Sequence, residues 1–238
     1  MRDDVLKLDG LSAGYGKVLV LRDISFRVSE GSVVGIIGPN GHGKTTLLNT
    51  ICGFVSASSG TIELDGGHLT GLAPHQVAAR GVVHIPQGDL IFPDLSIYEN
   101  LLMGAYLEPD GAVQARRLAS VFAMFPKLEE RQAQMASTLS GGERRMLGIG
   151  RGLMRESRIM LIDEPSLGLA PIVVEQIYDT LKELKSQGRT IVLVEENPSR
   201  VVDFADEIFL IDNGEIVWSG QASEMEENEN ILETYLGG

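Results

Sequence analysis

The stretch Gly38-Pro39-Asn40-Gly41-His42-Gly43-Lys44-Thr45-Thr46 follows the apolar run Val33-Val34-Gly35-Ile36-Ile37 and opens a helix-like segment. A loop of that composition in that place can hold a polyphosphate. Glycines at 38, 41 and 43 let successive backbone N–H groups turn toward one anion, and a helix beginning near Lys44 adds the positive end of its dipole. Lys44 can reach β- and γ-phosphates and Thr45 can offer its hydroxyl to Mg2+, which completes Gly-x-x-x-x-Gly-Lys-Thr in the strand-loop-helix setting the motif requires. The expected ligand is ATP. A glycine-rich turn with no ligand is the alternative, and the downstream motifs count against it.

The apolar run Ile159-Met160-Leu161-Ile162 ends in Asp163-Glu164-Pro165, so two carboxylates fall at the carboxyl edge of a buried strand, where ligands of open α/β sheets collect. Asp163 suits a place in a Mg2+ shell, and Glu164 suits orienting or deprotonating a water that attacks the γ-phosphate. Leu139-Ser140-Gly141-Gly142-Glu143 supports two readings. Ser140 and Glu143 have the spacing of a capping box that starts a helix, while the two glycines leave a bare helix N-terminus that with the serine hydroxyl can hold an anion.

These residues need a sheet to carry them. Short apolar, β-branched runs at Val33 to Ile37, Val82 to Ile85, Ile159 to Ile162, Thr190 to Val194 and Ile208 to Ile211 read as buried parallel strands. Helix-like stretches at Lys44 to Gly53 and Ile172 to Gln187 lie between them, with Gly53 and Gly188 at the expected helix ends, which predicts a doubly wound α/β core. Val5 to Leu8, Val18 to Leu21, Ser25 to Val28 and Thr61 to Leu64 predict a small antiparallel side sheet. The segment from about 89 to 150 is helical in pattern, with a capping box at Ser96 to Glu99 and a second helix through Ala112 to Phe125. Glu224 to Glu229 reads as a solvated helix face.

The chain has 238 residues, 43% of them hydrophobic, enough for one large α/β domain with an ordinary core. A formal net charge of −13 argues against a nucleic-acid partner. The one cysteine, Cys52, reads as a small buried residue in a reducing cytosol. No apolar stretch is long enough to span a bilayer, and Met1-Arg2-Asp3-Asp4 is not expected to be a signal peptide.

Taken together, the phosphate loop, Leu139-Ser140-Gly141-Gly142, Asp163-Glu164 and Ser166-Leu167-Gly168-Leu169 come in the order and approximate spacing of the ATP-binding cassette family, which the whole of 1–238 resembles. The resemblance implies a P-loop NTPase core with a mainly parallel sheet, an antiparallel side sheet and an inserted helical subdomain. It implies ATP and Mg2+ as ligands, and a head-to-tail dimer in which Ser140, Gly141 and Gly142 of one chain face the γ-phosphate held by the other. By position, Tyr15 in Ser12-Ala13-Gly14-Tyr15-Gly16 matches the ring that stacks on adenine. Gln87 matches the glutamine that touches Mg2+ and attacking water and links the core to the helical segment.

Pro86-Gln87-Gly88, Ser166 to Pro171 and the ending Tyr235-Leu236-Gly237 look more narrowly like the smaller ATPase of branched-chain amino-acid importers, with urea and short-amide importer ATPases nearly as close. That likeness implies a second, non-identical cassette, integral membrane permease subunits, indirectly a substrate-binding protein, and a place on the cytoplasmic face of the cell membrane. No added regulatory domain is expected after Leu236. Two rival readings are a soluble cassette ATPase acting outside transport and a nucleotide-binding partner with little turnover.

Three departures from the family pattern stand out. Glu196 occupies the slot of a histidine that contacts the γ-phosphate, and a carboxylate about 4 Å from a phosphate oxygen is repelled by roughly 4 kcal/mol at an effective dielectric near 20, so it must turn away, protonate or meet a cation. His42 stands where the family has a small residue, and a solvent-facing ring is expected. Arg144 and Arg145 replace glutamines common after the glycine pair.

Overall fold

Three strands with every residue buried, β3 (Val33–Ile37), β7 (Ile159–Asp163) and β8 (Ile191–Glu195), form the middle of the main sheet. Their unbroken apolar runs follow from having both faces covered. The computed structural model describes residues 3–88 and 90–226, so Asp89, residues 227–229 of the acidic stretch and the Tyr235-Leu236-Gly237 ending lie outside the described residues. Two compact units are drawn from the chain, one from Met1–His84, Arg158–Glu164 and Lys182–Gly238, the other from Ile85–Ser157 and Pro165–Leu181.

In the first unit, β1 (Asp4–Tyr15) and β2 (Val18–Ser29) join β4 (Ala57–Leu64) and β5 (Gly67–His68) in a side sheet of order β2-β1-β4-β5. Its β1–β2, β1–β4 and β4–β5 pairings are all antiparallel. The main sheet adds β6 (Val82–Ile85), β9 (Glu207–Asp212) and β10 (Glu215–Gln221) in the order β10-β9-β3-β8-β7-β6. Strand β3 pairs in parallel with β8 and β9, and β7 with β8, whereas β10 is antiparallel to β9. The core lies among Leu6, Leu8, Leu21, Ile24, Ile36, Leu47, Leu48, Leu161 and Val192. Helices α1 (Lys44–Ile51), α2 (Pro74–Ala79), α8 (Pro198–Val202) and α9 (Ala222–Glu226) complete the unit.

The second unit holds α3 (Ile97–Gly104), α4 (Gly111–Met124), α5 (Pro126–Glu130) and α6 (Gly141–Leu153), and α7 (Pro171–Ser186) carries the chain onward from Leu181 to Lys182. The capping box at Ser96 is present, with Oγ accepting from the Glu99 N–H at 3.2 Å and Glu99 Oε2 accepting from the Ser96 N–H at 2.7 Å.

Several expectations are corrected. The short runs Val5 to Leu8, Val18 to Leu21 and Ser25 to Val28 belong to two twelve-residue strands. Bulges absorb the polar residues that look like turns: Asp23 takes φ 52, its N–H donates to Ser12 Oγ at 3.1 Å, and Gly10 N–H donates to Ser25 Oγ at 2.8 Å. Strand β10 escaped notice because its half-exposed alternation lacks the continuous apolar run of its neighbours. Thr190 precedes its strand and instead accepts the Gly31 N–H on its hydroxyl at 3.0 Å.

Cys52 is buried, and burial pushes its thiol up to about 12. Iodoacetamide at about pH 8 should therefore leave the folded protein unmodified and label it once unfolded. Mass spectrometry before and after denaturation checks this, and rapid labelling of the native state would contradict it.

Candidate nucleotide site

Parallel register brings three strand ends to one edge. Ile37 pairs across from Glu195 and Asp163 from Val194, so the loop after β3, the end of β8 and the Asp163-Glu164 pair all lie at the carboxyl edge of the sheet. Gly38 leaves β3 at φ 152, and a Cβ there would stand 2.1 Å from the Ile211 carbonyl oxygen. Gly41 and Gly43 take φ 82 and 108, and Gly43 is the N-cap of α1 with no side-chain cap, so the first N–H groups of that helix remain available to an anion. Pro39 is half-buried, Asn40 and Thr45 are exposed, and Thr46 is buried.

Lys44 has a side chain only 3% exposed, and its Nζ donates to the carbonyls of Gly38 at 2.7 Å and Pro39 at 3.1 Å. The same ammonium lies 3.7 Å from Glu164 Oε1. Asp163 is fully buried at the end of β7, and Glu164 follows it at φ 41 with its N–H bonded to the Val194 carbonyl at 2.9 Å. A left-handed glutamate turns out of the strand line, which is how its carboxylate meets Lys44. Burial raises the Glu164 carboxyl above the usual glutamate range; Lys44 opposes that rise, and Asp163, Glu195 and Glu196 add to it.

His42 does not face solvent as expected. Its Nδ1 is 2.7 Å from Asp212 Oδ1, with the ring little more than a quarter exposed, and its carbonyl accepts the Gly214 N–H at 3.1 Å. The loop after β3 is thereby tied to the turn between β9 and β10. Glu196 is exposed. Tyr15, 54% exposed, lines a hollow of about 640 Å3 together with Lys17, Val18, Phe54 and Ser56.

In the second unit, Ser140 is the N-cap of α6: its Oγ accepts from the Glu143 N–H at 3.4 Å and donates to Glu143 Oε2 at 2.8 Å. The cap reading of this serine is realised. Those backbone and hydroxyl bonds from Ser140 hold the Glu143 carboxyl below the usual range. Gly141 follows the cap, and Gly142 is buried where a Cβ would lie 2.7 Å from Val173 Cγ1, so a larger residue would require Val173 to shift. Gln87 is exposed in the segment after β6.

The family model described as ABC transporter matches residues 21–167. The chain belongs to the ABC transporter family. It is 40% identical over 234 residues to the high-affinity branched-chain amino acid transport ATP-binding protein BraG of Pseudomonas aeruginosa, covering 98% of this chain and 100% of that protein. BraF of the same organism, described in the same words, is 31% identical over 253 residues, covering 100% of this chain and 99% of that one. Among solved structures, the ADP conformation of an ATP-binding cassette of an ABC transporter superposes with a TM-score of 0.85 at 28% identity, covering 95% of this chain and 94% of that one. The α/β cassette fold with its antiparallel side sheet is thus the family's, and the chain is an ABC ATPase.

Sequence reasoning missed three residues around this ABC ATPase site. Glu195 is only 3% exposed and acts on Glu164, a placement signalled by the strand continuing one residue past Val194. Asp212 gave no local signal, since it meets His42 across 170 residues. Phe54, directly after the Gly53 helix stop, is an exposed ring lining the hollow beside Tyr15. Among the described residues no helix is long and apolar enough to cross a membrane.

Proposed function

We propose that this ABC ATPase is the smaller ATP-hydrolysing subunit of an importer for branched-chain amino acids, lying on the cytoplasmic face of the cell membrane. The observation that carries the reading is the end-to-end likeness to BraG, closer than the likeness to BraF. Its partners are then a second, non-identical cassette, integral membrane permease subunits and, through them, a substrate-binding protein.

The site has parts suited to each role. Tyr15 offers a ring for adenine; the backbone from Gly38 to Thr46 and the Lys44 ammonium hold phosphates. Lys44 must exchange the Gly38 and Pro39 carbonyls for phosphate oxygens, a replacement of neutral acceptors by charged ones. Glu164 takes the proton of the attacking water, the oxygen of that water bonds to the γ-phosphorus, and ADP leaves. Its raised carboxyl makes it a stronger base than an ordinary glutamate once ionised. The Thr45 hydroxyl and Asp163 carboxylate are hard oxygen donors of the kind Mg2+ takes, with phosphate and water supplying the rest, and the Gln87 amide oxygen is a donor of the same kind. When bound, Mg2+ neutralises charge on the phosphates. Ser140, Gly141 and Gly142 serve the nucleotide of the opposite cassette, where the Ser140 hydroxyl must leave Glu143 to reach it. Glu196, in the usual histidine position, is exposed, and its charge adds to the rise of the Glu164 carboxyl.

Purifying the tagged chain from its host membrane should bring down two hydrophobic permeases and an unlike cassette, and deleting its gene should abolish high-affinity leucine, isoleucine and valine uptake. Unchanged uptake in the deletion strain, or a tagged chain with no membrane protein attached, would contradict the proposal.

A further inference from the structure

We infer that Arg145 is a positioning residue for hydrolysis, holding the backbone on both sides of Gln87 and the Pro165 carbonyl to the helix that Ser140 begins. Arg145 lies in α6 and is 4% exposed, a degree of burial that a guanidinium tolerates only with acceptors around it. Its Nη1 donates to the Pro86 carbonyl at 2.7 Å and the Gly88 carbonyl at 3.1 Å, and its Nε to the Pro165 carbonyl at 3.2 Å. One nitrogen with two hydrogens therefore brackets Gln87 from either side. Pro165 is the residue after Glu164, at the point where the chain leaves its strand through a left-handed turn.

Pro86 has no N–H to donate, and Gly88 sits at φ 85, a conformation that glycine takes without strain, so the carbonyls on either side of Gln87 are the backbone groups through which Arg145 can hold the segment. The fork of an arginine serves three carbonyls from one plane. A glutamine at 145 has a shorter reach and a single NH2, and a lysine keeps the charge without the fork. The neighbouring Arg144 does something different: its Nη1 donates to the Leu139 carbonyl at 3.0 Å, at the start of the same helix. Through Arg145, a shift of α6, whose first turn carries Gly141 and Gly142, is passed to the backbone that presents Gln87.

This inference rests on the reading of Gln87 given above, and a double-mutant cycle on steady-state ATPase in the assembled complex separates the two. Arg145→Gln should lower kcat about fivefold to tenfold while the KM for ATP stays within about twofold, because the phosphate loop is untouched. Arg145→Lys should recover part of the loss. On a Gln87→Ala background, Arg145→Gln should lower kcat by less than about twofold further, since the residue it positions is gone. If Arg145→Gln fails to fold, as thermal unfolding would show, Arg145→Lys carries the cycle. Multiplying effects in the double variant, or a kcat unchanged by either substitution while Gln87→Ala is slow, overturns the role of Arg145 alone. A Gln87→Ala chain that turns over like the parent overturns both readings.

Discussion

Glu164→Gln slows ATP hydrolysis by about 10²- to 10⁴-fold while ATP binding is kept, the range lost when a positioned general base is removed. Glutamine preserves the shape that fits beside Lys44 but cannot accept the proton of the attacking water. The variant should accumulate an ATP-bound dimer, read by size-exclusion chromatography. Parent-like turnover in an assembled complex would remove Glu164 from the mechanism. The carboxylate also has a pH signature. Its folded pKa is raised, chiefly by burial, so the native state binds more protons than the unfolded state between the two pKa values. Nucleotide-free stability from this group is present below the unfolded pKa and is lost as pH rises through the folded one. Glu164→Gln should therefore be more stable than the parent at neutral pH, with the difference shrinking in acid, as differential scanning fluorimetry across pH would record. By the same shift, parent turnover should fall with acid at a higher pH than an ordinary glutamate allows.

Lys44→Ala abolishes useful ATP affinity. A lysine-phosphate hydrogen bond between charged groups contributes about 1.5–3 kcal/mol, so losing the proposed contacts to β- and γ-oxygens should weaken binding roughly a hundredfold or more. Turnover falls because ATP no longer occupies the site, in contrast to Glu164→Gln, where it stays. Removing the ammonium at 3.7 Å also lifts the influence that holds the Glu164 carboxyl down. The apo variant should consequently lose stability more steeply than the parent as pH rises. Equal ATP affinity of variant and parent in an equilibrium titration would contradict the assignment of Lys44.

How far this molecule was readable depends on how local each feature is. The buried strands β3, β7 and β8 are continuous apolar runs, and the capping boxes at Ser96 and Ser140 are complete within four residues, so all were legible. The long strands β1 and β2 were not, because Gly10 and Asp23 look like turn residues until Ser25 and Ser12, from the facing strand, supply their hydrogen bonds. His42 looked solvent-facing because its partner Asp212 comes from the far end of the chain. Arg145 appeared as an unexplained substitution. Only the fold places the Pro86, Gly88 and Pro165 carbonyls around its guanidinium, and two of them are more than fifty residues away. The glycine-rich turn into α1 was legible for the opposite reason: it depends on adjacent residues and one helix end.

The most direct measurement is uptake of labelled leucine into vesicles that hold the assembled complex with its substrate-binding protein outside and ATP on the cassette side. Uptake should require ATP, and replacing the parent chain by Glu164→Gln should lower hydrolysis and uptake together. Leucine uptake that continues at the parent rate with Glu164→Gln, or without ATP, would contradict the account.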